Sequence, residues 1–307
     1  IGASTPEARL VPRDPDDELG RMAAAFNALL DRLAAALEQQ RQFMADASHE
    51  LRTPAAVVRS AADVALRRED RSAAEYRQAL EIARSEAERL ARIVDDLFLL
   101  ARADAAQPTL RLREFYLDEA LAECARAMRA LATERGVALE TAFDTRARSG
   151  GASGAPSGDA PHDAAPDDAG AAMVGDEALL RRLVLNLLDN ALKFTPRGGR
   201  VTLRLAPDSL ARDAAERSAV SGGPAGVRAA WRVEVEDTGT GVPVEARARI
   251  FDRFYRADGA RASGVGGAGL GLAMARTIAE AHGGRLELSR SDANGSLFVA
   301  VLPRGED

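Results

Sequence analysis

A chain of 307 residues is long enough for two modest domains, each with its own core. Its 46% hydrophobic and 29% charged content, with a net charge of −6, lacks the basic surplus of a sequence-independent nucleic-acid binder. Cys124 is the single cysteine, so no internal disulfide can form and a reducing compartment fits best.

No apolar run approaches the roughly 20 residues that span a bilayer, and no signal peptide is visible. The chain opens at Ile1 in what reads as mid-domain, so an upstream part is expected. Residue usage is lopsided. Of the 41 basic residues all but Lys193 are Arg, and the four Asn are Asn27, Asn186, Asn190 and Asn294. Two of those Asn lie just ahead of the only Lys.

After a Pro- and Asp-rich start, Phe26, Leu30, Leu33, Leu37, Gln40, Met44, Ala47, Leu51, Pro54, Val58, Ala61 and Ala65 recur at alternating steps of four and three. That is a coiled-coil seam, broken in its apolar rule only by Gln40. A charged, turn-like stretch, Arg67–Ser72, interrupts it. A second seam follows through Tyr76, Leu80, Ala83, Ala87, Leu90, Val94, Leu97 and Ala101. Two such helices joined by a short turn lie antiparallel. A lone hairpin buries little, so two hairpins pairing into a four-helix bundle, a homodimer, are expected.

From Gln107 the pattern changes. Short β-like runs (110–114, 137–143, 200–205, 231–236, 285–289, 296–302) mix with helical segments near 117–135, 176–194 and 269–282. The overall class is therefore α+β: a helical hairpin followed by an α/β sandwich with one sheet covered by helices. Residues 145–171 and 207–228, rich in Gly, Ala, Pro, Asp and Ser, read as flexible insertions.

Several residues are placed to do chemistry. Ala47 and Leu51 are core positions, which puts His49 at the outermost point of the heptad, beside Glu50. Thr53 lies four residues on along the same face. An exposed imidazole beside a carboxylate suits a nucleophile with its own base, although an indifferent surface histidine has the same pattern. Pro54, inside the helix, removes the bond to the Glu50 carbonyl and favours a kink.

Further on, Leu180, Val184, Leu187 and Ala191 form a buried stripe. Asn186, Asn190 and Lys193 share a different face. Two neutral oxygen donors suit Mg²⁺ and the ammonium suits phosphate, while a merely polar helix face would look the same. Asp237-Thr238-Gly239-Thr240-Gly241 follows a β-run directly, placing an acceptor carboxylate at a strand end among glycines. Ordinary turns share that composition. The aromatic residues of Ile250–Arg256 include core candidates, Phe251 and Phe254. Gly264–Leu272 is a glycine-rich run into a helix, suited to phosphate on the helix N-terminus but also to simple flexibility.

Taken together and in order, these segments resemble the five boxes of bacterial two-component sensor histidine kinases. Phe43–Pro54 is similar to the H-box, Asn186–Phe194 to the N-box, Asp237–Gly241 to the G1 box, Ile250–Arg256 to the F-box and Gly264–Leu272 to the G2 box. The resemblance covers about residues 43 to 303.

It implies that His49 accepts the γ-phosphoryl group of ATP, that Glu50 takes the ring proton, and that Thr53 orients a water for dephosphorylating a partner. It implies Asn190 on Mg²⁺ with Asn186 beside it, Lys193 on the phosphates and Phe194 against the nucleotide. Phe194 stands where Tyr is common, so a hydroxyl contact is lost. Asp237 would read the adenine amino group, with Gly239 and Gly241 letting the backbone approach. Arg256, from the lid, and Gly267, Gly269, Leu270 and Gly271 would meet the phosphates, with Ala268 replacing the usual hydroxyl residue. His282 reads as a structural helix end and His162, in the first insertion, as inert.

Residues 17–33 resemble the end of a HAMP linker, which in the family follows a transmembrane helix. The expected organisation is therefore a HAMP end and entry helix at 1–38, a dimerisation and phosphotransfer hairpin at 39–104, and an ATP-binding domain of the GHKL type at 105–307. A hinge is expected near 103–108. The expected cofactors are ATP and Mg²⁺, and the partners a second copy and a response regulator receiver domain, with no nucleic acid. The parent protein is expected at the cytoplasmic face of the bacterial inner membrane. Two rivals stay open: an ATPase of the same superfamily without phosphohistidine, and a degenerate, non-catalytic scaffold.

Overall fold

In a computed structural model of the chain, the described residues are 10, 17–67, 72–104, 110–144, 170–209, 229–257 and 268–305. The chain divides into two compact units after Leu97. The expected hinge falls mostly outside the described residues, as do most of both expected insertions.

The first unit is built on α1, Glu18–Leu66, and most of α2, Ala73–Asp104. Asp17 caps α1, its carboxylate accepting the Gly20 N–H at 2.6 Å. Ser72 and Glu75 form a reciprocal capping box at the start of α2: the Ser72 N–H reaches Glu75 at 2.8 Å and the Glu75 N–H reaches the Ser72 hydroxyl at 3.3 Å. Helix α1 runs on through Pro54, whose ring is buried.

The seams are only half covered within one chain. In the lower part of α1, Ala47, Pro54 and Ala61 are buried and Leu51, Val58 and Ala65 half-buried, as the heptad predicts. Higher up, Phe26, Leu33 and Leu37 are exposed, and Ala23 is the buried residue instead. In α2, Tyr76, Ala83, Leu90 and Leu97 are half-buried. Their alternates Leu80, Ala87, Val94 and Ala101 are open to solvent.

The second unit contains β1 (Arg113–Tyr116), α3 (Leu117–Arg135), β2 (Ala138–Phe143), β3 (Ala172–Gly175), α4 (Glu177–Phe194), β4 (Arg200–Ser209), β5 (Ala229–Asp237), α5 (Gly271–Ala281), β6 (Arg285–Asp292) and β7 (Gly295–Pro303). Its main sheet has the order β2-β4-β5-β7-β6, with β2 parallel to β4 and the other pairs antiparallel. Helices α3, α4 and α5 pack side by side on one face. The core lies between these layers, among Leu183, Leu187 and Leu188 of α4, Leu203 and Leu205 of β4, Val233 and Val235 of β5 and Phe298 of β7. Each such side chain contributes about 1.5–3 kcal/mol by leaving water.

The opposite face of the sheet is roofed by charge. Arg204 reaches Glu236 at 2.5 Å and Arg290 reaches the same carboxylate at 2.6 Å. Beneath that lattice Ala230, Val299 and Val301 are wholly buried in a small second cluster. Arginine stems supply apolar cover while the guanidinium groups stay in water.

Three sequence expectations need correction. Residues 207–209, assigned to an insertion, continue β4, and Pro207 pairs with Trp231 there. The β2–β4 register ends at Leu205, so β4 is an edge at that point and tolerates proline. Gly170 and Ala171 lead into β3, a strand not foreseen, which pairs with β1. Four residues are too few to display alternation. The expected strand 110–114 begins instead at Arg113, drawn forward by pairing with β3.

Candidate functional site

The first candidate site lies on the hairpin. His49 is exposed on α1, at one end of a groove of about 850 Å³ lined by both helices. Thr53, Arg52, Ser60, Glu75 and Gln78 supply its polar lining, and Val57, Val64, Ala79 and Ile82 are among its apolar contacts. Thr53 shares the groove with His49, and its hydroxyl lies 3.5 Å from the His49 carbonyl. Glu50 is half-buried and is not part of the groove lining. Adjacent helical positions point about 100° apart, which explains the separation.

The second candidate site is assembled in the α/β unit by the ends of α4, β5 and α5. Asp176 caps α4, accepting the Leu179 N–H at 3.2 Å. The helix buries Leu180, Val184, Leu187 and Ala191, the predicted stripe, and this leaves Asn186, Asn190 and Lys193 half-buried on another face. The Asn186 amide nitrogen is buried and has no partner among the described residues. A side chain at Gly271, the first residue of α5, would meet that carboxamide at 3.7 Å. A buried donor without an acceptor, beside a helix N-terminus, suits a ligand rich in oxygen. Lys193 is held by Asp189, one turn back on α4.

Asp237 ends β5 and is 5% exposed. Its Oδ1 accepts two backbone N–H groups, from Gly239 at 2.8 Å and from Ser296 at 3.3 Å. Among the described residues no donor takes Oδ2, so one acceptor remains for a ligand. Burial pushes this carboxyl above its ordinary value, the two N–H bonds pulling the other way. The loop behind it is tied to the β6–β7 hairpin. The Val242 N–H donates to the Ser291 hydroxyl at 2.6 Å, and the Arg247 guanidinium donates to the Ser291 carbonyl at 2.6 Å. Gly241 sits at φ +70°, where a side chain would meet the Asp292 carbonyl at 2.0 Å. Phe194, at the end of α4, is 38% exposed beside this loop, its carbonyl against Gly239.

Gly269, at φ +69°, packs on the backbone of Phe254 and accepts the Phe254 N–H at 2.9 Å. Phe254 itself has φ 59°, an uncommon conformation for a bulky residue. Leu270 is buried just ahead of α5, which starts at Gly271 rather than at 269. Phe251 stacks edge-on with Phe298 at 6.4 Å, a core contact, and Arg256 is half-buried. Gly267 and His162 lie outside the described residues. No group of three or more His, Cys, Asp or Glu among the described residues could hold a metal.

Sequence reasoning missed Asp189, which was visible inside its own motif as an acidic residue four before the lysine. It also missed Ser296 as a donor to Asp237. A backbone N–H has no sequence signature.

Comparison with known proteins agrees with this division. Residues 39–106 match the His Kinase A (phospho-acceptor) domain. Residues 175–306 match the histidine kinase-, DNA gyrase B- and HSP90-like ATPases. The chain is 36% identical over 272 residues to the sensor protein IrlS of Burkholderia pseudomallei, covering 88% of this chain and 48% of that protein. It is 30% identical over 298 residues to the sensor histidine kinase CusS of Escherichia coli, covering 97% and 52%. The chain thus spans about half the length of these curated relatives.

Among solved structures, full-length ShkA in complex with AMPPNP aligns with a TM-score of 0.55 at 26% identity, covering 87% of this chain and 46% of that one. The histidine kinase ThkA, solved with the response regulator TrrA, aligns with a TM-score of 0.57 at 18% identity, covering 89% and 64%, and shows a shared fold. The chain belongs to the two-component sensor histidine kinases, with a phospho-acceptor hairpin followed by an ATPase domain of the histidine kinase type.

Proposed function

We propose that the chain phosphorylates itself on His49 from ATP and passes the phosphoryl group to an aspartate of a response regulator. The observation that carries this reading is the exposed imidazole at the end of the hairpin groove, in a chain that also holds the nucleotide-type cleft. An imidazole in water, outside the core, is free to meet a phosphoryl donor. Glu50 is the assigned base for the ring proton. Thr53, in the same groove, is assigned to orienting water when a phosphorylated regulator returns. The half-covered α2 seam supports a homodimer, because Leu80 and Val94 need a partner surface.

In the ATPase domain, Asp237 Oδ2 is the acceptor for the adenine amino group. Asn186, Asn190 and Lys193 line the triphosphate, with Gly269–Gly271 offering backbone N–H groups at the start of α5. The face of α4 fits magnesium: two carboxamides supply neutral oxygen ligands and room remains for waters and phosphates. The orphaned Asn186 amide nitrogen then finds an acceptor on a phosphate or bound water. When bound, the ion would neutralise charge spread over the phosphates. Arg256 and Gly267 are assigned to the phosphates from the F-box and G2 box. The parent protein is read as anchored in the inner membrane through a preceding segment, in keeping with the HAMP-like stretch at 17–33. No described helix is itself long and apolar enough to cross a membrane.

Incubation with γ-labelled ATP tests this directly. Label that is acid-labile, base-stable and absent from His49→Gln is expected. Label persisting in that variant would overturn the assignment.

A further inference from the structure

His282 lies far along α5 from the nucleotide cleft, yet its ring joins the two helices that form the cleft. Its Nδ1 is 2.8 Å from the Ile278 carbonyl of its own helix, so that nitrogen carries the proton. Its Nε2 is then an acceptor, and it takes the Asp176 N–H at 3.0 Å. Asp176 is the capping residue of α4, and it is 8% exposed. Its carboxylate accepts the Leu179 N–H at 3.2 Å through one oxygen and the Arg111 N–H at 3.0 Å through the other. Asp176 therefore links three segments: its carboxylate holds the approach to β1 and caps α4, and its N–H meets the imidazole at the C-terminus of α5. The ring also packs against Gly175, where a side chain would approach it to 3.2 Å.

We propose that His282 is a positioning residue of the nucleotide site, a lock between α5 and α4 that holds only while the ring is neutral. The inference rests on α4 and α5 jointly holding the nucleotide, as assigned above. Protonation would place an Nε2–H against the Asp176 N–H, two donors facing each other, and strand a buried amide. The acceptor nearest to hand would be the Asp176 carboxylate, already engaged in capping α4. Either way α4, with Asn186, Asn190 and Lys193, loses its fixed relation to Gly269–Gly271 at the other end of α5.

The charged groups on the neighbouring elements contact other residues. Glu177 of α4 is engaged by Arg113 and Arg181, and Glu280 of α5 by Arg276. Arg285 of β6 lies within 3.9 Å of Glu287, and Arg304, beyond β7, stacks on Trp231 at 4.1 Å. Burial holds the imidazole below its ordinary value, outweighing the hydrogen bond to the Ile278 carbonyl and the Asp176 charge, which both pull it up.

The test compares the wild-type chain with His282→Gln, which keeps an acceptor near the Nε2 position and cannot titrate. ADP affinity is measured for both from about pH 8 to about pH 4.5, well below an ordinary imidazole because burial lowers this one. The nucleotide's own titration cancels in the ratio of the two Kd values. That ratio is expected to swing about fivefold across the range, one hydrogen bond's worth, as the wild type weakens at acid pH. A flat ratio with normal binding at high pH overturns the lock. Absence of binding at every pH overturns the nucleotide assignment and this inference with it.

A second measurement does not need the variant to fold. Ring nitrogen shifts report the tautomer, and the chain has only three histidines to assign. An Nδ1–H tautomer, with the Asp176 amide losing protection relative to its intrinsic exchange rate as the ring protonates, is the expected result. An Nε2–H tautomer sinks the proposal.

Discussion

The Asp189 carboxylate grips the Lys193 ammonium one turn along α4, so the chain's only lysine is already paired before any phosphate arrives. On the proposed assignment of Lys193 to the phosphates, a triphosphate has to displace that carboxylate or bind against its charge. Both side chains keep some solvent contact, 23% for the lysine and 38% for the aspartate, which screens the pair.

Asp189→Asn is therefore expected to cost at most about 0.5 kcal/mol of stability, the usual scale of a helical ion pair. It is expected to tighten ATP binding by roughly two- to fivefold, about 0.5–1 kcal/mol of relieved repulsion. Calorimetric titration with ATP and with adenosine separates the causes. An equal change for both ligands would show that the carboxylate does not act through the phosphates.

Asp237 invites a different substitution. Asparagine can keep Oδ1 for the Gly239 and Ser296 N–H groups while replacing Oδ2 by a donor. On the proposed contact with the adenine amino group, ATP affinity should fall at least tenfold, roughly 1.4 kcal/mol, since two donors would then face each other. Stability should move the other way. The native carboxyl lies above its ordinary value of 3.8, so the folded state holds its proton to higher pH than the unfolded state. Wild-type stability thus falls as pH rises through that window, and the deficit persists to neutrality. Urea denaturation should find Asp237→Asn at least as stable as wild type near neutral pH, with the gap closing towards pH 3.8. A variant destabilised at neutral pH would show that the charge itself supports the loop.

The single cysteine offers a probe of the α/β unit. Cys124 is 3% exposed, its sulfur 3.7 Å from the Arg181 carbonyl of α4. Burial pushes the thiol up to about 11, which removes nearly all thiolate at working pH. A disulfide reagent at about pH 8, near the ordinary thiol range, should leave the folded chain unmodified and react fully in denaturant. Prompt reaction of the native protein would mean that the α3–α4 layer opens readily.

Much of this architecture was legible in residue patterns, for reasons that individual elements make clear. Helix α3 runs over the predicted 117–135 because its apolar spacing, its acidic first turn at Asp118 and Glu119 and its left-handed Gly136 all agree. The N-box face was legible because a buried leucine stripe fixes where Asn186 and Lys193 must point. Strand β3 was not, since four residues cannot show a period and its partner β1 lies more than fifty residues earlier. The Asp189 grip and the donors to Asp237 escaped because one hides as an ordinary charged residue and the others are backbone groups. Upper α1 departs from its heptad in that, among the described residues, nothing covers Phe26, Leu33 and Leu37.

That last departure leads to a prediction about assembly. Leu80 is 69% exposed and Val94 37% exposed, on the α2 stripe left open when its alternates are half-buried. Burying such a side chain in a partner stabilises by about 1.5–3 kcal/mol, and a heptad stripe contributes several. Carboxylates at two of these positions would have to be desolvated in the same interface, at a cost of several kcal/mol each after relaxation. The wild type should therefore run as a dimer by light scattering, and the double variant Leu80→Glu with Val94→Glu as a monomer at the same concentration. Its Cys124 should stay protected, because the α/β unit keeps a separate core. Retention of dimer mass would place the pairing surface elsewhere and leave the open stripe unexplained.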